Sequence, residues 1–239
     1  QSQASDNTSI LVDGSGSLIP ANFVAFDYGA FNAVGSASTW AGLQGCSDCN
    51  GVPLNSVRYD TPTFAGFSAS ASWGEDDFWD IALRYAGEHH GFKIAAAAAY
   101  SESDDNCSGV AAFATCAGTQ GSNGIDTTEY FQIGAYAQHV ATGLFLYGAY
   151  GDFDVDGAGN AGSDYWYIKG GLRKNMTHLG ATVLYAEYGD YDNDANASEV
   201  ELFGLGVVQE IDAAAMSLWL TYRHLEGEQT GTGPIEDFD

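Results

Sequence analysis

An alternation of apolar and polar side chains over residues 78–100 constrains the fold of this chain more than any other feature. The segment reads FWDIALRYAGEHHGFKIAAAAAY. Every second position is apolar on both sides of a glycine-bounded turn, first at Trp79, Ile81, Leu83 and Tyr85 and then at Phe92, Ile94, Ala96, Ala98 and Tyr100. Five consecutive alanines favour a helix by intrinsic propensity, but a period of two predicts strands with one apolar face.

The same period recurs along the rest of the chain. Clear alternation covers residues 131–138, 166–173 and 216–223, and less regular segments cover residues 57–61, 67–73, 144–150, 181–188 and 200–209. These segments predict an all-β fold of about ten strands, and no segment predicts a helix. No apolar run approaches the roughly 18 residues that identify a transmembrane helix.

The connections between the predicted strands alternate in length from residue 79 onward. Short ones such as GEHHG and HVATG take turns with long ones that are mostly rich in Asp, Ser, Gly and Asn. Strands of about nine to eleven residues joined in this way, with aromatic side chains near the ends of the apolar stripe, are typical of an antiparallel up-and-down β-barrel that spans an outer membrane. A closed barrel also satisfies every backbone polar group in lipid. A soluble β-sandwich has the same period and stays open as the alternative.

The charge of the chain is strongly negative. Its 32 acidic and 7 basic residues give a formal net charge of -25, which argues against nucleic acid as a partner and favours cations. Six of the seven basic side chains lie in predicted strands, on the parity opposite the apolar stripe: Arg58, Arg84, Lys93, Lys169, Arg173 and Arg223. In a barrel these side chains line a water-filled lumen, where charged rings select among small solutes.

The four cysteines form two close pairs, Cys46 with Cys49 and Cys107 with Cys116, inside Gly-, Ser- and Asn-containing segments. Three disulfide connectivities are possible, and pairing within each short loop is favoured because short loops cost little entropy to close. Disulfides imply an oxidising compartment. The CSDC motif is also half of a zinc site, but no matching Cys or His pair follows at a suitable spacing.

Three aspartates, Asp152, Asp154 and Asp156, precede Gly157 in the pattern D-x-D-x-D-G, which opens a calcium-binding loop. The last position of that motif is Ser163, where an EF-hand has a bidentate Glu, so the EF-hand motif is incomplete. A solvated acidic loop is the simpler interpretation. A Ca²⁺ site formed by the carboxylate oxygens is the alternative.

The stretch NSVRYDTPTFAGFSASASW, residues 55–73, resembles the strand that follows the constriction loop in general diffusion porins of Gram-negative outer membranes, especially the alphaproteobacterial type. LYAEYGDYD and LGVVQEIDAAAMSLWLTYRHLE are similar to later strands of that family. The resemblance covers residues 55–239 and implies a barrel of about sixteen strands, usually trimeric, of which this chain carries about ten. The family's early strands and its closing strand are not found, so we expect an internal portion of a porin.

The resemblance also implies which residues form the pore. Residues 1–55 correspond to a long loop that folds inward and narrows the lumen, and residues 56–239 to the strands of one barrel domain. In this family, acidic residues of the loop face basic residues of the wall. The acidic candidates are Asp13, Asp27 and Asp48, and the wall candidates that face them are Arg58, Arg84 and Lys93.

These features predict a passive outer-membrane pore for small hydrophilic solutes and ions. A weak preference for cations is expected because acidic loops concentrate them at the mouth of a pore. The expected partners are outer-membrane lipid, small solutes and further copies of the chain in a homotrimer. We expect no catalysis and no required cofactor, with Ca²⁺ at the acidic loops left open. The alternative is a soluble acidic β-sandwich that binds calcium or a carbohydrate.

Overall fold

Strands make up most of the described part of the chain in the computed structural model. The described residues are 4–6, 8–17, 33, 35–36, 38–44, 55–74, 77–103, 127–156, 162–195, 197–231 and 235–237. The strands are β1 (Ser56–Asp60), β2 (Phe67–Gly74), β3 (Trp79–His89), β4 (Phe92–Ser103), β5 (Thr127–His139), β6 (Leu144–Asp156), β7 (Ser163–Lys174), β8 (Thr182–Asn193), β9 (Ser198–Ile211) and β10 (Met216–Gln229). One short helix, α1, spans Trp40–Gln44, and a single 3-10 turn spans Asp212–Ala214.

The ten strands form one antiparallel sheet in which each strand pairs with its neighbours in sequence, in the order β1 to β10. This order is that of an up-and-down barrel wall. A β-sandwich requires two sheets packed face to face, so the sandwich interpretation is wrong: the apolar parity faces away from the protein instead of a second sheet. Across the described residues, the outer edges of β1 and β10 pair with no further strand.

One face of the sheet, which we call the outer face, is apolar and exposed. On β3, the exposed fractions of Trp79, Ile81 and Leu83 are 41%, 51% and 53%, while Asp80 and Ala82 between them are buried. Near the loop side, a row of aromatic side chains crosses the outer face: Trp79, Tyr100, Phe131, Tyr150, Trp166, Tyr188 and Phe203. Exposed aliphatic side chains next to an aromatic row are typical of a surface that contacts lipid.

The five alanines are strand residues of β4. Ala95–Ala99 pair with β3 on one side and with β5 on the other. Ala97 and Ala99 are buried on the opposite face, which we call the inner face. The hydrogen-bonded neighbours on both sides override the helix propensity of alanine, as tertiary context commonly does.

The β3–β4 connection is a tight turn formed by His90 and Gly91. Their φ angles are 50° and 81°, so both residues lie in the left-handed region that a two-residue hairpin turn requires. Glycine adopts this conformation without the steric cost of a Cβ atom. The short connection predicted at GEHHG is therefore confirmed as a hairpin.

Helix α1 was not predicted from the sequence. It has five residues, too few to show a helical period of 3.6. Its carbonyl groups are held by side chains of the sheet: Asn193 Nδ2 donates to the Gly42 oxygen at 2.9 Å and Ser198 Oγ to the Leu43 oxygen at 2.8 Å. Among the described residues, no helix is long and apolar enough to cross a membrane.

We predict that an arginine in the middle of the outer face destabilises the protein. Ala135 lies there on β5, between Ala96 of β4 and Gly148 of β6. Ala135→Arg is expected to lower the free energy of unfolding by about 2–4 kcal/mol, because a charge at the bilayer midplane is desolvated. Guanidinium titration of the protein in lipid vesicles, followed by tryptophan fluorescence, measures this change.

The matched control is Ala86→Arg, which adds the same side chain to an exposed position of the inner face. We expect it to change the free energy of unfolding by less than about 1 kcal/mol. Equal effects of the two substitutions would contradict the assignment of the outer face to lipid.

Candidate functional site on the inner face

The six strand cations predicted from the sequence all alternate with the apolar side chains of the outer face, and so belong to the inner face. They are Arg58 on β1, Arg84 on β3, Lys93 on β4, Lys169 and Arg173 on β7, and Arg223 on β10. Lys174, the seventh basic residue, is exposed at the end of β7. That the six line a water-filled pore stays a prediction.

Part of the N-terminal region lies along the inner face. Residues 4–6 and 8–17, which we call the inner segment, advance across the sheet as their numbers increase. Ser5 bonds to Asp80 on β3, and Ser9 bonds to Gln132 on β5. Asp13 then reaches Lys169 on β7. The direction of this path decides which wall residue each part of the segment meets.

The central contact between the inner segment and the wall is the ion pair of Asp13 and Lys169. Lys169 Nζ lies 2.8 Å from Asp13 Oδ2 and donates a second hydrogen bond to Ser17 Oγ at 2.9 Å. The exposed fractions of the two charged side chains are 0% for Lys169 and 2% for Asp13. Removing either partner leaves an uncompensated buried charge, which is strongly destabilising.

The position of this ion pair differs from the expectation that Asp13 faces Arg58, Arg84 or Lys93. Those side chains belong to β1, β3 and β4, whereas the inner segment has already passed to β7 at residue 13. Assignment by order along the chain fails because the segment crosses several strands before it presents its carboxylate.

Three tyrosines surround Lys169, and sequence reasoning did not single them out. The Nζ atom lies 5.8, 5.6 and 5.3 Å from the ring centroids of Tyr147, Tyr167 and Tyr185. Aromatic faces attract a cation, and the attraction is larger where water is excluded. The signal that could have identified these rings is their inward parity on β6, β7 and β8, the strand of Lys169 and its two neighbours.

A second buried ion pair joins β8 to β10. Arg223 Nε lies 2.6 Å from Glu187 Oε1, and the Tyr167 hydroxyl donates to the other oxygen of the same carboxylate. Gly204 of β9 lies between the two strands, and a Cβ atom there would lie 2.5 Å from Glu187 Oε1. A glycine at this position therefore makes room for the pair.

The ends of the inner segment are fixed by two arginines. Arg84 donates to Ser70 Oγ and to Thr8 Oγ1, both at 2.9 Å, and to the carbonyl oxygen of Ala4. Arg173 donates to the Ser15 carbonyl oxygen at 2.8 Å. Because both guanidinium groups bind the segment directly, they hold it against the wall from β3 to β7.

Arg173 also contacts Glu210 at 2.8 Å. At the other edge of the sheet, Arg58 contacts Asp60 at 2.8 Å, and that carboxylate also accepts from Ser70. Lys93 is exposed and forms no ion pair within the described ranges. Most of the inner-face cations are therefore neutralised locally.

Several predicted residues lie outside the described part of the chain. These are the acidic candidates Asp27 and Asp48 and the cysteines Cys46, Cys49, Cys107 and Cys116. Their roles stay predictions.

The three aspartates of the D-x-D-x-D-G pattern are strand residues, so the expectation that they form a loop is wrong. Asp152, Asp154 and Asp156 end β6 and point to the outer face. Strands of this protein continue beyond the aromatic row, where the outer-face positions of β6 are aspartates and no longer apolar. In the described ranges, no group of three or more Asp, Glu, His or Cys side chains is arranged as a metal site.

Acidic side chains form a band across the outer face on the loop side of the aromatic row. Asp152 stands opposite Asp164, which stands opposite Asp192, and Glu199 follows on β9 and Glu228 on β10. Adjacent carboxylates of like charge are destabilising. The band therefore has a cost in stability that dissolved cations relieve by screening.

An antiparallel up-and-down wall with a lipid-compatible outer face and a charged inner face defines the class of outer-membrane β-barrels. The sequence profile described as Gram-negative porin matches residues 14–230. The chain belongs to this family and is a protein of the bacterial outer membrane.

The first of three similar solved structures supports this fold. The chain is similar to an anion-selective porin from Comamonas acidovorans, with a TM-score of 0.57 and 16% identity, covering 82% of this chain and 57% of that chain. It is also similar to OmpT of Vibrio cholerae, as expressed in the outer membrane and as folded in vitro, each with a TM-score of 0.47, 13% identity and coverage of 77% and 60%. No curated protein sequence matches. The chain thus spans less than two thirds of the length of these structures.

We predict that the ion pair of Asp13 and Lys169 is strongly coupled. Lys169→Met is expected to lower the free energy of unfolding by about 3–5 kcal/mol, because it leaves the Asp13 carboxylate buried without a partner. The double variant Lys169→Met/Asp13→Leu is expected to lose less than the sum of the single variants. Guanidinium unfolding, with hydrogen exchange of the inner-segment amides, measures both effects.

Arg58→Met is the matched control, since it removes a partly exposed ion pair with Asp60. We expect a loss of at most about 1 kcal/mol. Additive effects of the Lys169 and Asp13 substitutions would show that the pair does not hold the segment.

Proposed function

We propose that the protein forms a passive pore through which small hydrophilic solutes and ions diffuse across the outer membrane. The observation that carries this proposal is the opposition of the two faces of one sheet. The outer face exposes aliphatic and aromatic side chains, and the inner face carries the basic residues and their acidic partners. A wall of this kind separates lipid from a hydrated interior, and the proposal assigns no catalysis to it.

In this proposal the inner segment belongs to the constriction. Asp13, Ser15 and Ser17 cross the inner face at the level of β7 and are fixed there by Lys169 and Arg173. A polypeptide held against the wall narrows the bore without closing it. Asp27 and Asp48 are proposed to continue the acidic side of the same constriction.

The electrostatic balance supports a preference for cations over anions. Lys169, Arg173 and Arg223 each face a carboxylate within 2.8 Å, so the wall contributes little net positive charge. The loop-side band has no comparable set of cations, and the whole chain has a formal net charge of -25. Cations are therefore concentrated at the loop-side mouth.

Two further features belong to the same proposal. We expect three copies to associate in the membrane, as the resemblance to trimeric porins implies. We also keep Ca²⁺ as a candidate ligand of the Asp152, Asp154 and Asp156 carboxylates, because hard cations prefer oxygen ligands. The proposed pore itself requires no cofactor.

We predict that the reconstituted protein conducts ions and prefers K⁺ to Cl⁻. In a planar bilayer with a KCl gradient, the reversal potential should have the sign of cation selectivity at about 0.1 M salt and approach zero near 1 M. The cause is the decrease of the Debye length from about 10 Å to about 3 Å. Clear anion selectivity would show that the basic wall dominates instead.

The contribution of the acidic band is tested by Glu199→Gln/Glu228→Gln, two neighbouring outer-face carboxylates. We expect the variant to have the same conductance at 1 M KCl and a reduced cation preference at 0.1 M. An unchanged reversal potential at 0.1 M would assign the selectivity to the inner face.

A further inference from the structure

Charged side chains collect at the turn end of the sheet, next to the inner face. Lys93, Arg173 and Glu210 are each the second residue from the turn-side end of a strand. Together with Lys174 and Asp212 they line a cavity of about 250 Å³. This cavity lies beyond Arg173, the residue that fixes the turn-side part of the inner segment.

Among the described residues, the cavity contains charged groups without a partner, whereas most charged groups elsewhere on the inner face are paired. Arg173 is neutralised by Glu210. By contrast, the ammonium groups of Lys93 and Lys174 and the carboxylate of Asp212 form no hydrogen bond or ion pair within the described part of the chain. Glu88 stands opposite Lys93 in the sheet, and the two side chains form no ion pair among the described residues. The cavity thus presents two ammonium groups and one carboxylate that are available to a ligand.

The remaining lining adds neutral hydrogen-bonding groups beside the apolar side chains of Val140 and Ala181. Gln138, opposite Lys93 on β5, and Asn175, after β7, both contribute an amide. The volume is below the range of about 300–1,000 Å³ typical of drug-sized ligands. The ligand that fits this size is a molecule of few heavy atoms with charges of both signs.

We propose that this cavity, which we call the turn-side subsite, binds small amino acids, with acidic amino acids such as glutamate bound best. The carboxylates of the ligand contact Lys93 and Lys174, and its ammonium group contacts Asp212. The proposal rests on the proposed function, because it assigns a solute class to the same pore. Binding at an open, hydrated site is weak, which suits a pore that must also release its solute.

Glutamate and glutarate test the lysine contacts and the Asp212 contact separately. The two ligands share two carboxylates and differ only in the ammonium group. Their affinities are measured by saturation-transfer NMR on the detergent-solubilised protein. Lys93→Gln and Lys174→Gln are each expected to weaken both ligands by about 1.5- to 5-fold, the effect of losing one exposed ion pair. Asp212→Asn is expected to weaken glutamate by a similar factor and to leave glutarate equal or tighter.

Arg58→Gln is the matched control, because it removes one positive charge from the inner face outside the subsite. We expect it to change neither affinity. The proposal is overturned if the wild-type protein shows no saturation transfer from glutamate, if the two lysine variants bind as the wild type does, or if Asp212→Asn changes the two ligands alike.

Conductance in KCl without either ligand tests the pore separately from this subsite. If the protein conducts ions but does not bind glutamate, the proposed function stands and the turn-side subsite is rejected. If the protein binds glutamate with the expected effects of the variants but does not conduct ions, the turn-side subsite stands and the proposed pore is rejected.

Discussion

The structure depends on one constraint: the two faces of a single sheet meet different solvents. Side chains on a strand alternate between the faces, so a period of two in the sequence places apolar groups toward lipid and polar groups toward the interior. In lipid no water is present to bind free backbone groups, and the ladder of neighbouring strands must satisfy them. The consecutive pairing of β1 to β10 does so for every interior strand of the sheet.

The inner face is stabilised differently from the core of a soluble protein. Its buried residues include Lys169, Glu187 and Arg223 as well as tyrosines and aliphatic side chains. Buried charges are costly unless each has a partner and further hydrogen bonds. Here the partners come from different strands or from the inner segment, so the same contacts that neutralise the charges also fix the segment. Stability and the shape of the interior are therefore linked.

The sequence predicts the part of this arrangement that depends on local pattern. The parity of Arg84 and Lys169 follows from their own strands, and the consecutive order of the strands follows from the alternating connections. The contact of Asp13 with Lys169 could not be predicted, because 156 residues separate the partners and the path of the inner segment decides it. The strand positions of Asp152 and Asp154 were also not predicted, since aspartate is disfavoured in strands and the apolar residues of the outer face end at the aromatic row.

The distribution of paired and unpaired charges explains how one wall can treat ions and dipolar solutes differently. A close pair such as Arg223 with Glu187 acts on a distant ion as a dipole, whose potential falls off faster than that of a single charge. Such pairs orient a solute that passes near them but add little to the selection between K⁺ and Cl⁻. Unpaired groups act at longer range, up to the screening length. In the described part of the chain these lie at the two ends of the wall, with outer-face carboxylates on the loop side and Lys93 and Lys174 on the turn side. Selection by net charge is thus assigned to the two ends of the wall, and orientation of a solute's dipole to the paired charges of the inner face between them.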